Sequence, residues 1–407
     1  MTTGLSGNEI FCLHLKKYTP GPIVVGNSVH ALGMLGSFGS SFKAMLGGEM
    51  QQITSLIEEG RETAYKRMQQ EAAKHNASGI TGVSSQLIIH ATNIEFLSIG
   101  SCIYSEIDKV ENTTPFSSTA DGQELFAQLD AGYKPICFAF GNVAYSIGLG
   151  RGLLGGLKTL GRGEIKEYSD IFNKTRHLAL DRIITHARQN QANAVLGIRT
   201  TILPLMTLNE MLMMGTASHH PELVAHHDID VITSDMTNLE MWNMTRLGYT
   251  PLKLLLGTSV YSLGLVGNIK ASLKSFVRGE LNELTQLLYD ARENALAIIN
   301  DEAKSIGADD VVGVKTYVYQ LGNGLIEFLA IGTAVKKATY AKTQSEQLPP
   351  QAIIVDQDTF YNANDPVGFN ITLNQGGKPM NRSQPAMLAG VIVYIVFLFL
   401  FFMFKGF

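Results

Sequence analysis

Arginine and glutamate recur at fixed spacings in three places along this chain. Arg61, Arg176 and Arg292 each lie thirteen residues after a glycine. Three acids each lie five residues before another glycine, namely Glu95, Glu210 and Glu327. A guanidinium and a carboxylate can form two parallel charge-assisted hydrogen bonds, and a charge on an apolar face is costly unless it is paired. We therefore predict that these arginines and glutamates form ion pairs, within one domain or across a contact between domains.

Two interpretations of this recurring pair are open. A buried pair could fix the register between packed elements, or a functional acid could line the opening of a ring. Covalent catalysis needs a nucleophile held beside an activating base. No nucleophile of one type shares the spacing of the arginines and glutamates in all three places. The pattern therefore favours a structural role, and we expect no catalytic residue and no enzymatic activity.

The densest group of possible metal ligands is the segment HHPELVAHHDID, which begins at residue 219. Imidazole and carboxylate groups are ligands that suit zinc or nickel. None of the ten histidines recurs at one repeat position, so a solvated connector is the commoner outcome for such a segment. We expect no cofactor, with a transition metal at this segment as the alternative. The candidate ligands are His219, His220, His226, His227 and Asp228.

Glycines that frame these residues repeat along the chain. Their separations are 22, 34 and 18 residues in two successive sets and 22, 34 and 19 in a third. A period of about 115 residues suits a whole small domain and is too long for a solenoid unit. The chain therefore contains three tandem copies of one domain. The repeat glycines are Gly26, Gly48, Gly82 and Gly100, then Gly141, Gly163, Gly197 and Gly215, and finally Gly257, Gly279, Gly313 and Gly332.

Each copy has the same predicted elements. A short helix, capped in turn by Ser6, Asp121 and Asp235, ends before a proline that begins a strand. A long helix with one apolar stripe follows, and two further strands close the copy. These elements predict an α+β fold, in which each two-layer domain combines antiparallel strands with one long helix. The predicted domains span residues 1–105, 116–218 and 232–337.

The pattern resembles the YbjQ family, whose domains are described as "Putative heavy-metal-binding". The third copy carries the resemblance best, in GTSVYSLGLV, DARENALAIINDEAKSIGADDVVGVK and EFLAIGTAV. The second keeps AVLGIR and MMGTAS, whereas the first departs most, with ASGITGVS and IGSC. The resemblance implies an α+β fold and assembly of single domains into rings, pentameric in comparable members.

Composition excludes some partners. The net charge is −4 and no run of Lys and Arg occurs, so we expect no nucleic acid partner. The three cysteines are Cys12, Cys102 and Cys137, which form neither a disulfide framework nor a zinc pattern, and this favours a reducing compartment.

The C-terminal segment 385–404 reads PAMLAGVIVYIVFLFLFFMF, twenty residues without a charge. Such a segment is long enough to cross a hydrocarbon core of about 30 Å as a helix. We therefore predict a single transmembrane helix that anchors the chain in a lipid bilayer, with residues 338–384 as a linker. Because this segment comes last, the three domains are expected in the cytoplasm.

Five is not a multiple of three, so the three domains of one chain cannot evenly fill a five-fold ring. Five chains could stack their domains as three tiers, each domain could join a different ring of a closed shell, or two chains could form a six-domain ring. Each arrangement is a high-order homo-oligomer whose partner is the chain itself. The sequence thus predicts a membrane-tethered scaffold, ring or shell protein. The alternative is a metal-binding or metal-handling protein that uses the histidines between the second and third copies.

Overall fold

A computed structural model shows how the three copies fold. It describes residues 2–31, 48–90, 93–107, 114–146, 163–205, 208–223, 229–262, 282–322 and 325–351. The predicted transmembrane helix and most of the linker lie outside these ranges, as do Gly279, His226, His227 and Asp228. Within the described residues, no helix is long and apolar enough to cross a membrane.

The order of elements is the same in each copy. The first contains α1 (Gly7–Leu15), β1 (Tyr18–Ala31), β2 (Gly48–Glu49), α2 (Gln51–Lys74), β3 (Gly79–His90) and β4 (Asn93–Ser105). The second contains β5 (Phe116–Ser117), α3 (Gly122–Asp130), β6 (Lys134–Ser146), β7 (Gly163–Glu164), α4 (Lys166–Gln189), β8 (Ala194–Leu205) and β9 (Leu208–His219). The third contains β10 (Ile232–Thr233), α5 (Asn238–Arg246), β11 (Tyr249–Ser262), α6 (Asn282–Ser305), β12 (Asp310–Gly322) and β13 (Leu325–Lys337).

The fold is therefore α+β, with three sheet-plus-helix units. In each unit three long strands pair antiparallel, with the strand after the short helix at one side and the last strand in the centre. The sheet orders are β1-β4-β3-β5, β10-β8-β9-β6-β2 and β12-β13-β11-β7.

The two-residue strands connect one unit with another, which the spacing of the repeats did not predict. β2 of the first repeat pairs with β6 of the second, and β7 of the second pairs with β11 of the third. In the opposite direction, β5 and β10 pair parallel with the preceding repeat's β3 and β8. Each junction between repeats is therefore tied by backbone hydrogen bonds in both directions.

The caps of the short helices differ from the prediction in one case. Ser6 forms a capping box with Glu9, and Asp121 accepts hydrogen bonds from the first-turn amides of α3. The prediction for Asp235 is wrong, because Thr237 caps α5 and pairs with Glu240 in a capping box. Thr237 lies three residues before the glutamate, which is the spacing that this motif requires.

The long helices pack their predicted apolar stripes against the sheets. In α2 the residues of this stripe are all buried, namely Ile53, Ile57, Ala64, Met68 and Ala72. The first of the four glycines in each repeat permits this close contact between helix and strand. A Cβ atom added at Gly141 would lie 2.2 Å from the Ala179 carbonyl oxygen of α4, and one at Gly257 would lie 2.0 Å from the Ala295 oxygen. Glycine is needed here because backbone and helix meet directly.

The third glycine of each repeat has a different role. Gly82, Gly197 and Gly313 have φ angles of 65°, 62° and 65°, in the left-handed region. Each lies where the strand register shifts by a β-bulge against its central partner. Other residues are strained in this conformation, so the glycine fixes the bulge.

Candidate functional site

The first buried ion pair joins the first repeat to the second. Arg61 lies in α2 and Glu210 lies in β9. Arg61 Nε donates to Glu210 Oε1 at 3.1 Å, and Nη2 donates to Oε2 at 2.8 Å. Nη1 donates to the Ser85 hydroxyl at 3.0 Å, and both charged side chains are fully buried. The geometry is the bidentate arrangement in which guanidinium and carboxylate charges compensate each other best.

The second ion pair repeats this geometry between the second repeat and the third. Arg176 of α4 donates to Glu327 of β13 through Nε at 3.1 Å and through Nη2 at 2.8 Å. The guanidinium carbon lies 4.8 Å from the Tyr145 ring centroid and 5.5 Å from that of Phe172. Burial alone would lower the pKa of Arg176, but the Glu327 carboxylate raises it, so the arginine stays charged.

In both pairs the long helix of one repeat supplies the arginine and the central strand of the next repeat supplies the glutamate. The predicted contact is thus made across domains in these two cases. Glu95 and Arg292 differ, because neither has an arginine–carboxylate partner within the described part of the chain. Glu95 belongs to the first of the described repeats and Arg292 to the last, so none of the described repeats lies beside either one to complete the pattern.

A hydroxyl residue on α2 and another on α4 also bridge these junctions. The Thr54 hydroxyl of α2 accepts a hydrogen bond from the Ala144 amide at 3.0 Å. The Ser169 hydroxyl of α4 accepts one from the Val260 amide at 2.9 Å. These amides belong to β6 and β11, the edges to which β2 and β7 add two residues each. A buried amide without a hydrogen-bond partner is costly. Each hydroxyl therefore favours the one register of helix against strand in which the amide is paired.

Asp130 is a buried hub that connects all three repeats, and no repeated pattern in the sequence predicted it. Its carboxylate accepts from Lys16 Nζ at 2.6 Å and from Trp242 Nε1 at 2.7 Å. The Ser345 hydroxyl, in the segment after the third repeat, donates at 2.7 Å. Asp130 has no acidic counterpart in the other copies, so comparing the copies could not identify it. An acid in the last turn of a helix, where the dipole disfavours negative charge, was the available signal.

The described part of the histidine segment does not fit a metal site. The ring of His220 is packed 4.7 Å from Tyr133 and 5.8 Å from Tyr340, measured between centroids. Its Nδ1 accepts a hydrogen bond from the Glu222 amide at 3.3 Å, and a hydrogen bond with the Ala131 backbone also involves the ring. Burial lowers the pKa of His220, so the ring is neutral and structural. His219 ends β9 and is partly exposed.

The described residues contain no group of three or more His, Cys, Asp or Glu side chains arranged to hold a metal ion. The three cysteines are free thiols, and burial raises the pKa of Cys12 to about 11 and that of Cys137 to about 12. A buried thiol that stays protonated is a poor nucleophile and a poor metal ligand. What the described residues do show is that the buried ion pairs compensate charge between repeats.

Comparison with known proteins agrees with this threefold organisation. Residues 14–101, 133–220 and 243–338 each match the YbjQ family, described as "Putative heavy-metal-binding". A protein of Mycobacterium tuberculosis, named an encapsulin nanocompartment protein, is 29% identical over 210 residues, which cover 49% of this chain and 78% of the relative.

Other relatives are more similar over a shorter length. A UPF0145 protein of Saccharolobus islandicus is 40% identical over 94 residues, covering 22% of this chain and 82% of the relative. A UPF0145 protein of Picrophilus torridus is 33% identical over 124 residues, covering 30% of this chain and 98% of the relative. The family matches cover more than half of the chain and coincide with its three sheet-plus-helix units. The chain therefore belongs to the YbjQ family and carries three of its domains in tandem.

Proposed function

We propose that this protein is a membrane-tethered homo-oligomeric scaffold that forms rings or shells and has no catalytic activity of its own. The observation that carries the proposal is that the recurring charged residues form buried ion pairs between repeats. In Arg61–Glu210 and Arg176–Glu327 they hold one repeat against the next, and their buried position leaves neither pair free to bind a substrate. The geometry of these pairs supports the assembly of domains with one another as the activity of this protein.

The Mycobacterium tuberculosis relative supports the same proposal. Its name describes a nanocompartment, which is an assembled protein structure, and its similarity extends over about half of this chain. Such a similarity is longer than one repeat of about 115 residues and therefore includes a junction between repeats.

The membrane tether rests on the sequence of residues 385–404. An uncharged segment of this length is the usual signature of a transmembrane helix. Many such anchors in one assembly would act together, so their attachment to a bilayer would be effectively permanent. In this proposal the three domains face the cytoplasm.

The test is electron microscopy and analytical ultracentrifugation of the full-length protein in detergent, with elemental analysis of the same sample. Large ring-shaped or closed particles without stoichiometric metal are the expected result. Single chains that carry a fixed number of transition ions would overturn the scaffold proposal in favour of metal handling. Recovery of the protein in the soluble fraction after cell lysis would overturn the membrane tether alone.

A further inference from the structure

The first sheet exposes a face that is buried in the other two. Val29 of β1 is 58% exposed, whereas Ala144 and Val260, at the same repeat position, are fully buried. Ile23 and Val25 of β1 are also exposed, while their counterparts in β6 and β11 are buried. An apolar surface of this kind is costly to leave in water.

The two internal junctions show what covers this face. α2 of the first repeat packs against β6, and α4 of the second repeat packs against β11. In each case the helix also contributes the hydroxyl and the arginine described above. At both junctions the covering element is the long helix of the preceding repeat, and the described residues include no repeat before the first.

The last long helix has the matching surface uncovered. α6 packs against β11 and β13 of its own repeat. Its outer face carries Thr285, Tyr289 and Arg292, and Thr285 and Arg292 occupy the positions of the hydroxyl and the arginine of α2 and α4. Tyr289 is 54% exposed. The side chain of Arg292 is exposed and forms no hydrogen bond or ion pair with another of the described residues.

The short helices show the same difference between the two ends. Phe11 of α1 is 47% exposed, whereas its counterparts Phe126 and Trp242 are buried. Phe126 is covered by the preceding repeat, whose Lys16 Nζ lies 4.6 Å from the ring centroid. The residue that corresponds to Lys16 in the third repeat is Leu247, and it is 69% exposed. Leu247 and Phe11 thus occupy the two positions that Lys16 and Phe126 fill in the internal contact, and both are exposed.

The charges at the two ends are complementary as well. Glu95 keeps its carboxylate on the uncovered face of the first sheet, where Asn27 and His90 hydrogen bond to it at 3.2 and 2.7 Å. Arg292 is the only one of the three repeat arginines that no carboxylate contacts in the described part of the chain. One end therefore carries an acid without its arginine, and the other end carries an arginine without its acid.

We infer that α6 of one copy docks on the β1–β4 face of a second copy, with Arg292 of the first copy paired to Glu95 of the second. The inference rests on the proposed function and specifies its interface. The contact that Arg61–Glu210 and Arg176–Glu327 make inside the chain would then also form between the third repeat of one copy and the first repeat of another. Because the two surfaces differ, the contact is heterologous, and it produces either a ring or a filament that grows in whole chains of three repeats.

Charge reversal tests this interface without touching the internal pairs. Glu95→Arg leaves two arginines facing each other between copies, and Arg292→Glu leaves two glutamates, so neither variant alone should assemble. We expect each to weaken association by on the order of a hundredfold or more. Mixing the two variants restores a complementary contact between them, and combining both changes in one chain makes every contact complementary again. Assembly should therefore return in the mixture and in the double variant, measured by ultracentrifugation of the full chain in detergent.

A matched control is Lys304→Glu, which reverses a charge on α6 that is 79% exposed and outside the predicted contact. It should assemble like the unmodified protein, and the circular dichroism of all variants should be unchanged. If the unmodified chain assembles and either single variant assembles equally well, the inference is wrong while the scaffold proposal stands. The same result would arise if residues 352–384 of the chain itself covered the exposed face. If the unmodified chain is monomeric, both proposals fail.

Discussion

Arg176 and Glu327 are 151 residues apart in sequence, yet their side chains form three hydrogen bonds of 2.8 to 3.1 Å between the second and third repeats. Both are buried, and two aromatic rings pack against the guanidinium. Each member of this buried pair offsets the cost of holding the other's charge away from water, so the loss of one member alone leaves an uncompensated charge.

Arg176→Met tests how strongly this junction depends on the pair. The substitution leaves the Glu327 carboxylate buried without its partner, which is expected to lower the free energy of unfolding by about 3–5 kcal/mol. Urea denaturation measures the change. The double variant Arg176→Met/Glu327→Leu should recover much of the loss, because it removes both charges.

The control for this prediction is Arg188→Met. Arg188 pairs with Asp230, but both side chains are more than half exposed, so its loss should cost at most about 1 kcal/mol. An Arg176→Met variant as stable as Arg188→Met would contradict the importance of the buried pair.

Gly141→Ala tests the contact between strand and helix within the second repeat. The added Cβ would lie 2.2 Å from the Ala179 carbonyl oxygen and 2.6 Å from the Ile183 amide nitrogen, so α4 must move away from β6. Such overpacking costs about 1–3 kcal/mol or more. Thermal unfolding should show a clearly lower midpoint. Gly7→Ala is the matched control, since nothing lies within 4 Å of its added Cβ; an equal effect of both variants would sink the explanation.

Asp130→Asn should remove an acid-sensitive part of the stability. Burial alone would raise the pKa of Asp130, but hydrogen bonds from Lys16, Trp242 and Ser345 hold it below its ordinary value of 3.8. The carboxylate therefore stabilises the folded chain above that value, and this contribution is lost as the pH falls through the lower pKa of the folded state. Unfolding midpoints between pH 7 and pH 3 should fall less steeply for Asp130→Asn than for the unmodified protein. Parallel curves would show that the hub carries no such linkage.

Glu124→Gln should have an opposite pH signature. Burial raises the pKa of Glu124 to about 7, Arg199 opposes this shift, and the nearby Asp121 charge adds to it. The folded chain thus holds a proton that the unfolded chain releases near its ordinary value of 4.5, so stability declines as the pH rises from about 4.5 to 7. Unfolding midpoints at pH 5 and pH 8 should differ less in Glu124→Gln. An unchanged difference between the two pH values would refute the shift.

The amino-acid sequence was sufficient to identify the repeat and the elements within it. Helical stripes such as Ile53, Ile57 and Ala64 depend on local periodicity, and the glycine spacing shows where one copy ends and the next begins. Both signals are given by positions along the chain, so they can be interpreted without knowing how the repeats contact one another. For the same reason the fold class was predictable. That arginine would pair with glutamate followed instead from residue type, because a charge on an apolar face needs an opposite charge.

Which arginine pairs with which glutamate could not be predicted without the folded chain. The residue types are the same in all three copies and their spacing differs by at most one residue, and this pattern is compatible with a pair inside one domain or between two. The choice depends on how the long helix of one repeat packs on the sheet of the next, together with the two-residue strands that cross each junction. These are contacts between distant segments, and no local periodicity records them.

The same reason explains Asp130 and His220. Asp130 has no counterpart in the other copies, and its partners come from three separate parts of the chain. His220 belongs to a segment whose composition suits metal binding, but its ring is enclosed by Tyr133 and Tyr340, which only the folded chain brings to it. Composition indicates what a side chain can bind, whereas burial and hydrogen bonding decide whether it remains free to bind it.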